Sequence, residues 1–211
     1  MLIQDASADT PLGAAYLEGN GSKFAVILCH GRGKHPKWLV VNPLRIGINK
    51  KLGYHTLSLQ MPASGKDWQE YAEDFPEAFR QIQQGIDFFQ KEKGVTTIYL
   101  IGHSMGSRMA AAFLAEHPGT PVVGFVGVGM RNNGDRPLSC DESLRRSHIF
   151  VLDVYGGGGN GRDAKDAGER KDIVSKKYAQ VLVKGADHRF TEHEEELVKA
   201  VVDWLKEREQ R

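Results

Sequence analysis

The segment Gly102-His103-Ser104-Met105-Gly106 places a serine between two glycines, each two positions away. A serine hydroxyl is a weak nucleophile until a neighbouring base takes its proton, so its surroundings decide whether it does chemistry. The glycine spacing suits a very sharp turn between a strand and a helix. Such a turn exposes the hydroxyl and aims the next backbone N–H at the reacting oxygen. In a chain of 24 glycines the five-residue pattern alone is weak, and its context decides its meaning. It follows the apolar run Thr97-Ile-Tyr-Leu-Ile101 and opens a helical run, Ser104 to Glu116, that ends before Pro118. The competing reading is a tight turn whose serine merely caps the helix.

A base must lie within hydrogen-bond reach of the hydroxyl, and eight histidines are available. His188, in Lys184-Gly-Ala-Asp-His188-Arg-Phe190, falls after the last apolar run and before the last helical one. That is a strand-end position on the same side of a sheet as Ser104. His103 adjoins the serine but points elsewhere from a turn of this kind. His55, His117, His148 and His193 read as packing or surface residues, and His30 as a residue shaping the loop after the first strand. A histidine base acts unprotonated, so activity is expected to rise with pH through neutrality.

Six short apolar runs would supply the strands: Phe24 to Cys29, Tyr54 to Leu59, Thr97 to Ile101, Val122 to Val128, Ile149 to Tyr155 and Ala179 to Val183. Continuous apolar runs of this length, rich in Val and Ile, mark strands buried on both faces. Between them, Phe75, Phe79, Ile82, Ile86 and Phe89 recur every three or four residues and share one helical face, a core-packing pattern. A last helix is expected from Thr191, where Thr191-x-x-Glu194 reads as a capping box, burying Leu197, Val201, Trp204 and Leu205. Strands alternating with helices imply an α/β fold, a mainly parallel sheet with helices on both faces. Sites in such sheets form beyond the carboxyl ends of the strands.

Composition sets the frame. The 211 residues fit one domain, 1–211, with 40% hydrophobic and 26% charged residues. Lys and Arg total 28 against 27 Asp and Glu, so no basic surplus points to nucleic acid. Cys29 and Cys140 lack metal-ligand spacing, and Cys29 ends an apolar run as a small buried residue would. The N-terminal stretch MLIQDASADTPLG has no secretory-signal pattern, and no run is long enough to span a bilayer. The expectation is a cytoplasmic protein that needs neither membrane nor cofactor.

These features together resemble the α/β-hydrolase superfamily, over nearly the whole chain from Phe24 to the final helix. The resemblance rests on His30-Gly31 after an early strand, the turn at Ser104, and Gly185-Ala-Asp-His188-Arg-Phe190. It implies a catalytic triad in the chain order Ser, acid, His, with Ser104 first and His188 last. It implies an oxyanion hole from the amides of Met105 and Arg32. It places the acid after the fifth strand, where Gly156-Gly-Gly-Gly-Asn-Gly-Arg-Asp163-Ala-Lys-Asp166 is longer than the family's usual turn. Asp163 is the first choice there and Asp166 the second, while Asp153 would have to reach out of the strand. The glycine run is expected to form a flexible loop, since no Lys-Ser or Lys-Thr follows to make it a phosphate cradle.

The implied reaction is hydrolysis of a small-molecule ester or thioester. About twenty residues, Gly129 to His148, remain for a lid, so the resemblance implies an open site and a small to medium substrate. Arg32, Lys34, His35 and Lys37 crowd the early loop, as an attractor for an anionic ester or as a solvated basic loop. An amidase or peptidase of the same fold, or a non-catalytic binding protein that kept it, stays open beside the esterase reading.

Overall fold

A computed structural model describes residues 13–62, 67–173 and 177–210. The N-terminal stretch read above for a signal falls almost wholly outside them. Among the described residues seven strands form one sheet: β1 (Ala15–Leu17), β2 (Phe24–Cys29), β3 (His55–Leu59), β4 (Thr97–His103), β5 (Val122–Val128), β6 (Phe150–Gly156) and β7 (Tyr178–Val183). Their order is β1-β3-β2-β4-β5-β6-β7. Every pairing is parallel except β1 with β3, which is antiparallel. The six expected strands lie within a residue or two of their observed bounds because each is an apolar run closed by polar residues or glycine. The three-residue edge strand β1 escaped notice, being too short to show a period.

Among the described residues six α-helices accompany the sheet: α1 (Val41–Leu52), α2 (Phe75–Asp87), α3 (Met105–Glu116), α4 (Cys140–Arg145), α5 (Arg162–Glu169) and α6 (Glu194–Glu209). On one face α2 and α3 seat Ile82, Ile86, Met109 and Phe113 against Ile27, Leu57 and Leu100. On the other, α1 and α6 seat Leu44, Ile48, Leu197 and Val201 against Val26, Leu28 and Val126. Each such side chain taken out of water contributes about 1.5–3 kcal/mol before chain entropy is charged against it. Both cysteines are free and buried in this core.

Two local expectations need correcting. The last helix begins at Glu194, with His193 and not Thr191 at its N-cap. Asp187 accepts from the backbone N–H groups of Arg189 and Thr191, holding this stretch in a turn ahead of the helix. The glycine-rich stretch is not simply a flexible loop either, since α5 starts at Arg162 and carries Asp163 in its first turn. The glycines there answer to close packing. A Cβ on Gly158 would lie 2.2 Å from the Gly185 carbonyl oxygen, and one on Gly156 2.3 Å from that of Ala186. The chain after β6 thus packs directly on the loop that carries His188.

Candidate active site

β4 runs directly into Ser104, whose backbone sits at φ 53°, ψ −115°, and α3 starts at the next residue. A positive φ is costly for a non-glycine residue and persists only where the surroundings impose it. Here the Ser104 N–H is held by the Val128 carbonyl at 3.0 Å. The flanking glycines are required sterically: a Cβ on Gly106 would meet the Cys29 carbonyl oxygen at 2.2 Å, and one on Gly102 the Ser107 Cα at 2.5 Å. The spacing read from the sequence therefore reflects how tightly α3 turns back over the ends of β2 and β4.

The neighbouring strands bring the other groups. His188 follows β7, and its Nε2 lies 3.0 Å from Ser104 Oγ. Its Nδ1 lies 3.0 Å from both carboxylate oxygens of Asp163, which follows β6. Gly129, after β5, leaves room for this pair, since a Cβ there would approach the His188 ring to 2.9 Å. Burial alone would raise the Asp163 carboxyl. The hydrogen bond and charge of His188, with the Arg131 cation, outweigh it and hold the group below the usual carboxylate range. The structure thus groups Ser104, His188 and Asp163, and it places the other two aspartates elsewhere. Asp166 bonds Arg131 at 3.2 Å. Asp153 is fully buried in β6, paired with Arg170 at 2.9 Å and accepting from the Tyr178 hydroxyl at 2.6 Å.

Met105, at the head of α3, and Arg32, in the turn closed by Lys34 N–H on the Gly31 carbonyl, both border a cleft of about 170 Å³ beside Ser104. A hydroxyl bonded to an imidazole, itself bonded to a buried carboxylate, can lose its proton as it attacks a carbonyl. Backbone N–H groups beside it can receive the developing oxyanion. No group of three or more His, Cys, Asp or Glu among the described residues is arranged to hold a metal.

Arg131 was not foreseen. It follows β5, and its Nη2 lies 2.7 Å from Asp163. The only available signal was its position at the carboxyl end of a central strand. His103 is buried, and its Nε2 lies 3.0 Å from the His188 carbonyl oxygen, bracing the loop from below. His30 is also buried. Its Nε2 accepts from the Met61 N–H at 3.0 Å, and its Nδ1–H donates to the Gly31 carbonyl at 2.9 Å, which holds the early loop in shape.

Burial, then the nearby His188, pulls His103 down to about 3, and burial lowers His30 as well. In the unfolded chain both would take a proton at about 6.5. Below that pH the unfolded state holds more protons, so stability falls with pH by about 1.4 kcal/mol per unit for each neutral histidine. For His103 the loss is complete only near pH 3. The melting temperature is expected to drop steadily from pH 7 to 5, and less steeply in His103→Phe. A flat profile in the wild type would contradict the assignment of both as buried neutral groups.

Residues 25–165 match the family model described as alpha/beta hydrolase fold, and the chain belongs to that family. None of the curated proteins compared with it matches significantly. Among solved structures it is similar to Est1E from Butyrivibrio proteoclasticus, solved with ferulic acid bound (TM-score 0.77, 15% identity, 94% of this chain and 95% of that one). It is similar to an alpha-beta serine hydrolase homologue from Coxiella burnetii (TM-score 0.75, 20% identity, 97% and 96%). It also resembles XC6422 from Xanthomonas campestris, described as a serine hydrolase without a lid (TM-score 0.70, 14% identity, 98% and 97%). At these identities the likeness is one of fold. In this chain the segment between β5 and β6 holds α4 as its one α-helix.

Proposed function

We propose that the protein is a serine hydrolase that cleaves a carboxylic ester or thioester of a small to medium substrate. The observation that carries this reading is the continuous hydrogen-bonded line from Ser104 Oγ through His188 to Asp163. In the proposed reaction Ser104 Oγ attacks the substrate carbonyl carbon while His188 Nε2 takes the hydroxyl proton. The tetrahedral oxyanion is received by the amides of Met105 and Arg32. His188 then gives its proton to the departing alcohol or thiol, leaving an acyl group on Ser104. A water molecule, deprotonated by the same imidazole, releases the acid and restores the serine. Asp163 fixes the tautomer that presents a bare Nε2 to the serine, and stabilises the imidazolium formed on attack.

The experiment is labelling with a fluorophosphonate probe, which reacts only with an activated serine. The wild type should be labelled on Ser104, and His188→Ala should not. Failure to label the folded wild type would favour a non-catalytic protein of the same fold.

A further inference from the structure

Eight residues line the cleft beside Ser104; four of them are arginines, Arg32, Arg108, Arg131 and Arg162, and none is acidic. They reach it from separate places: the loop after β2, the first turns of α3, the segment after β5 and the first residue of α5. Arg131 is neutralised by Asp163 and Asp166. Arg32, Arg108 and Arg162 form no ion pair among the described residues. Of the basic loop noted in the sequence, Arg32 alone lines the cleft, while the Lys34 ammonium lies over the Trp38 ring at 4.2 Å.

Arg108 is the informative member. Its side chain is buried, one turn along α3 from Ser104. Its guanidinium donates to the carbonyls of Asn133 and Leu138, each at 2.7 Å, and to Asn133 Oδ1 at 2.6 Å, and it lies 5.2 Å from the centre of the Trp68 ring. All three acceptors are neutral, and two of its five N–H donors have no described partner. A buried cation without an ion-pair partner is costly: burial weighs most against the charge, Arg131 and Arg162 add to that, and the more distant Asp166 carboxylate relieves only part of it. The fold nonetheless clamps it at the cleft wall in a fixed orientation. An oxyanion entering the cleft would supply the missing charge and accept the spare donors, which guanidinium groups present well to carboxylate and phosphate.

We propose that this cleft selects substrates bearing an oxyanion, a carboxylate or phosphate, near the scissile carbonyl, held by Arg108 and Arg162. The proposal rests on Ser104 as nucleophile and names the substrate class of that same site. A cleft of about 170 Å³ is below the range of about 300–1,000 Å³ usual for drug-sized ligands, so the part it encloses is a small charged group rather than a long acyl chain.

The test compares matched esters: mono-4-nitrophenyl glutarate against 4-nitrophenyl pentanoate for an anion on the acyl side, and 4-acetoxybenzoate against its methyl ester for one on the leaving side. The wild type should favour the charged member of one pair in kcat/KM by roughly ten- to a hundredfold. That ratio should fall toward one in Arg108→Met and in Arg162→Gln. The exposed position of Arg162 keeps the test intact if the buried variant does not fold. Competition by glutarate against inorganic phosphate then tells carboxylate from phosphate. Equal or better turnover of both neutral esters, dependent on Ser104, would overturn the proposal and leave the serine-hydrolase reading standing. If no ester is turned over, that reading fails by itself, and calorimetric titration with glutarate and phosphate decides the anion site. Binding weakened in Arg162→Gln supports it, and no binding of either anion refutes it.

Discussion

Ser104→Ala should lower turnover of an activated ester by about 10⁴ or more while leaving the melting temperature within a few degrees of wild type. The size follows from what the hydroxyl supplies. Without Oγ no acyl-enzyme forms, and His188 can only assist direct attack by water. The residual rate then comes from binding and the oxyanion-receiving amides. The small effect on folding follows from the contacts, because the backbone N–H of Ser104 bonds Val128, its carbonyl accepts from Ser107 and Arg108, and among the described residues the hydroxyl bonds His188 alone. Alanine inherits the strained backbone and every main-chain bond. Retention of more than a tenth of wild-type turnover would show that another group is the nucleophile.

Asp163→Asn should cost about 10³–10⁴ in turnover, because an amide can donate to Nδ1 and so favour the tautomer whose Nε2 carries a proton and cannot accept one from serine. It also replaces a charge that stabilises the imidazolium and pairs with Arg131. Asp166→Asn removes only one of the two carboxylates on Arg131 and touches neither His188 nor Ser104, so a loss of about tenfold or less is expected. Asp153→Asn should act on stability instead. Its carboxylate receives two fully buried bonds from Arg170 and one part-buried bond each from Tyr178 and Gln180. Breaking a buried pair of this kind costs about 3–5 kcal/mol. Steady-state kinetics and thermal melting on the three variants separate the roles. Severe inactivation by Asp166→Asn with a mild effect at Asp163 would reverse the assignment.

Much of this is legible in the sequence itself. The apolar runs ending at Cys29, Ile101, Val128 and Tyr155 are each confined to a few residues, and a strand buried on both faces has no other composition available to it. The run ending at Val183 also forms a strand, but at the sheet edge, where Ala179 and Leu182 are exposed, so it is not buried on both faces as its apolar run implied. The glycines around Ser104 marked a turn too tight for side chains, a local requirement written into five consecutive residues. The choice of Asp163 over Asp166 and Asp153 drew on the chain order of the resembling family. Local pattern left it open, since all three lie within fourteen positions.

What the tertiary structure decided was convergence. Arg131, Arg108 and Arg162 belong to three separate segments, and nothing in their spacing says that they meet. Only the parallel order β4-β5-β6-β7 brings the ends of four strands into one row, with Ser104, Arg131, Asp163 and His188 beyond them. The glycine run after β6 shows the same division. Locally, glycines signal freedom, and the sequence offers no sign that Gly156 and Gly158 lie against the backbone at Ala186 and Gly185. Close approach is a property of two distant segments at once. One-dimensional patterns record the demands a residue makes on its neighbours in the chain, whereas packing and field at a site come from neighbours in space.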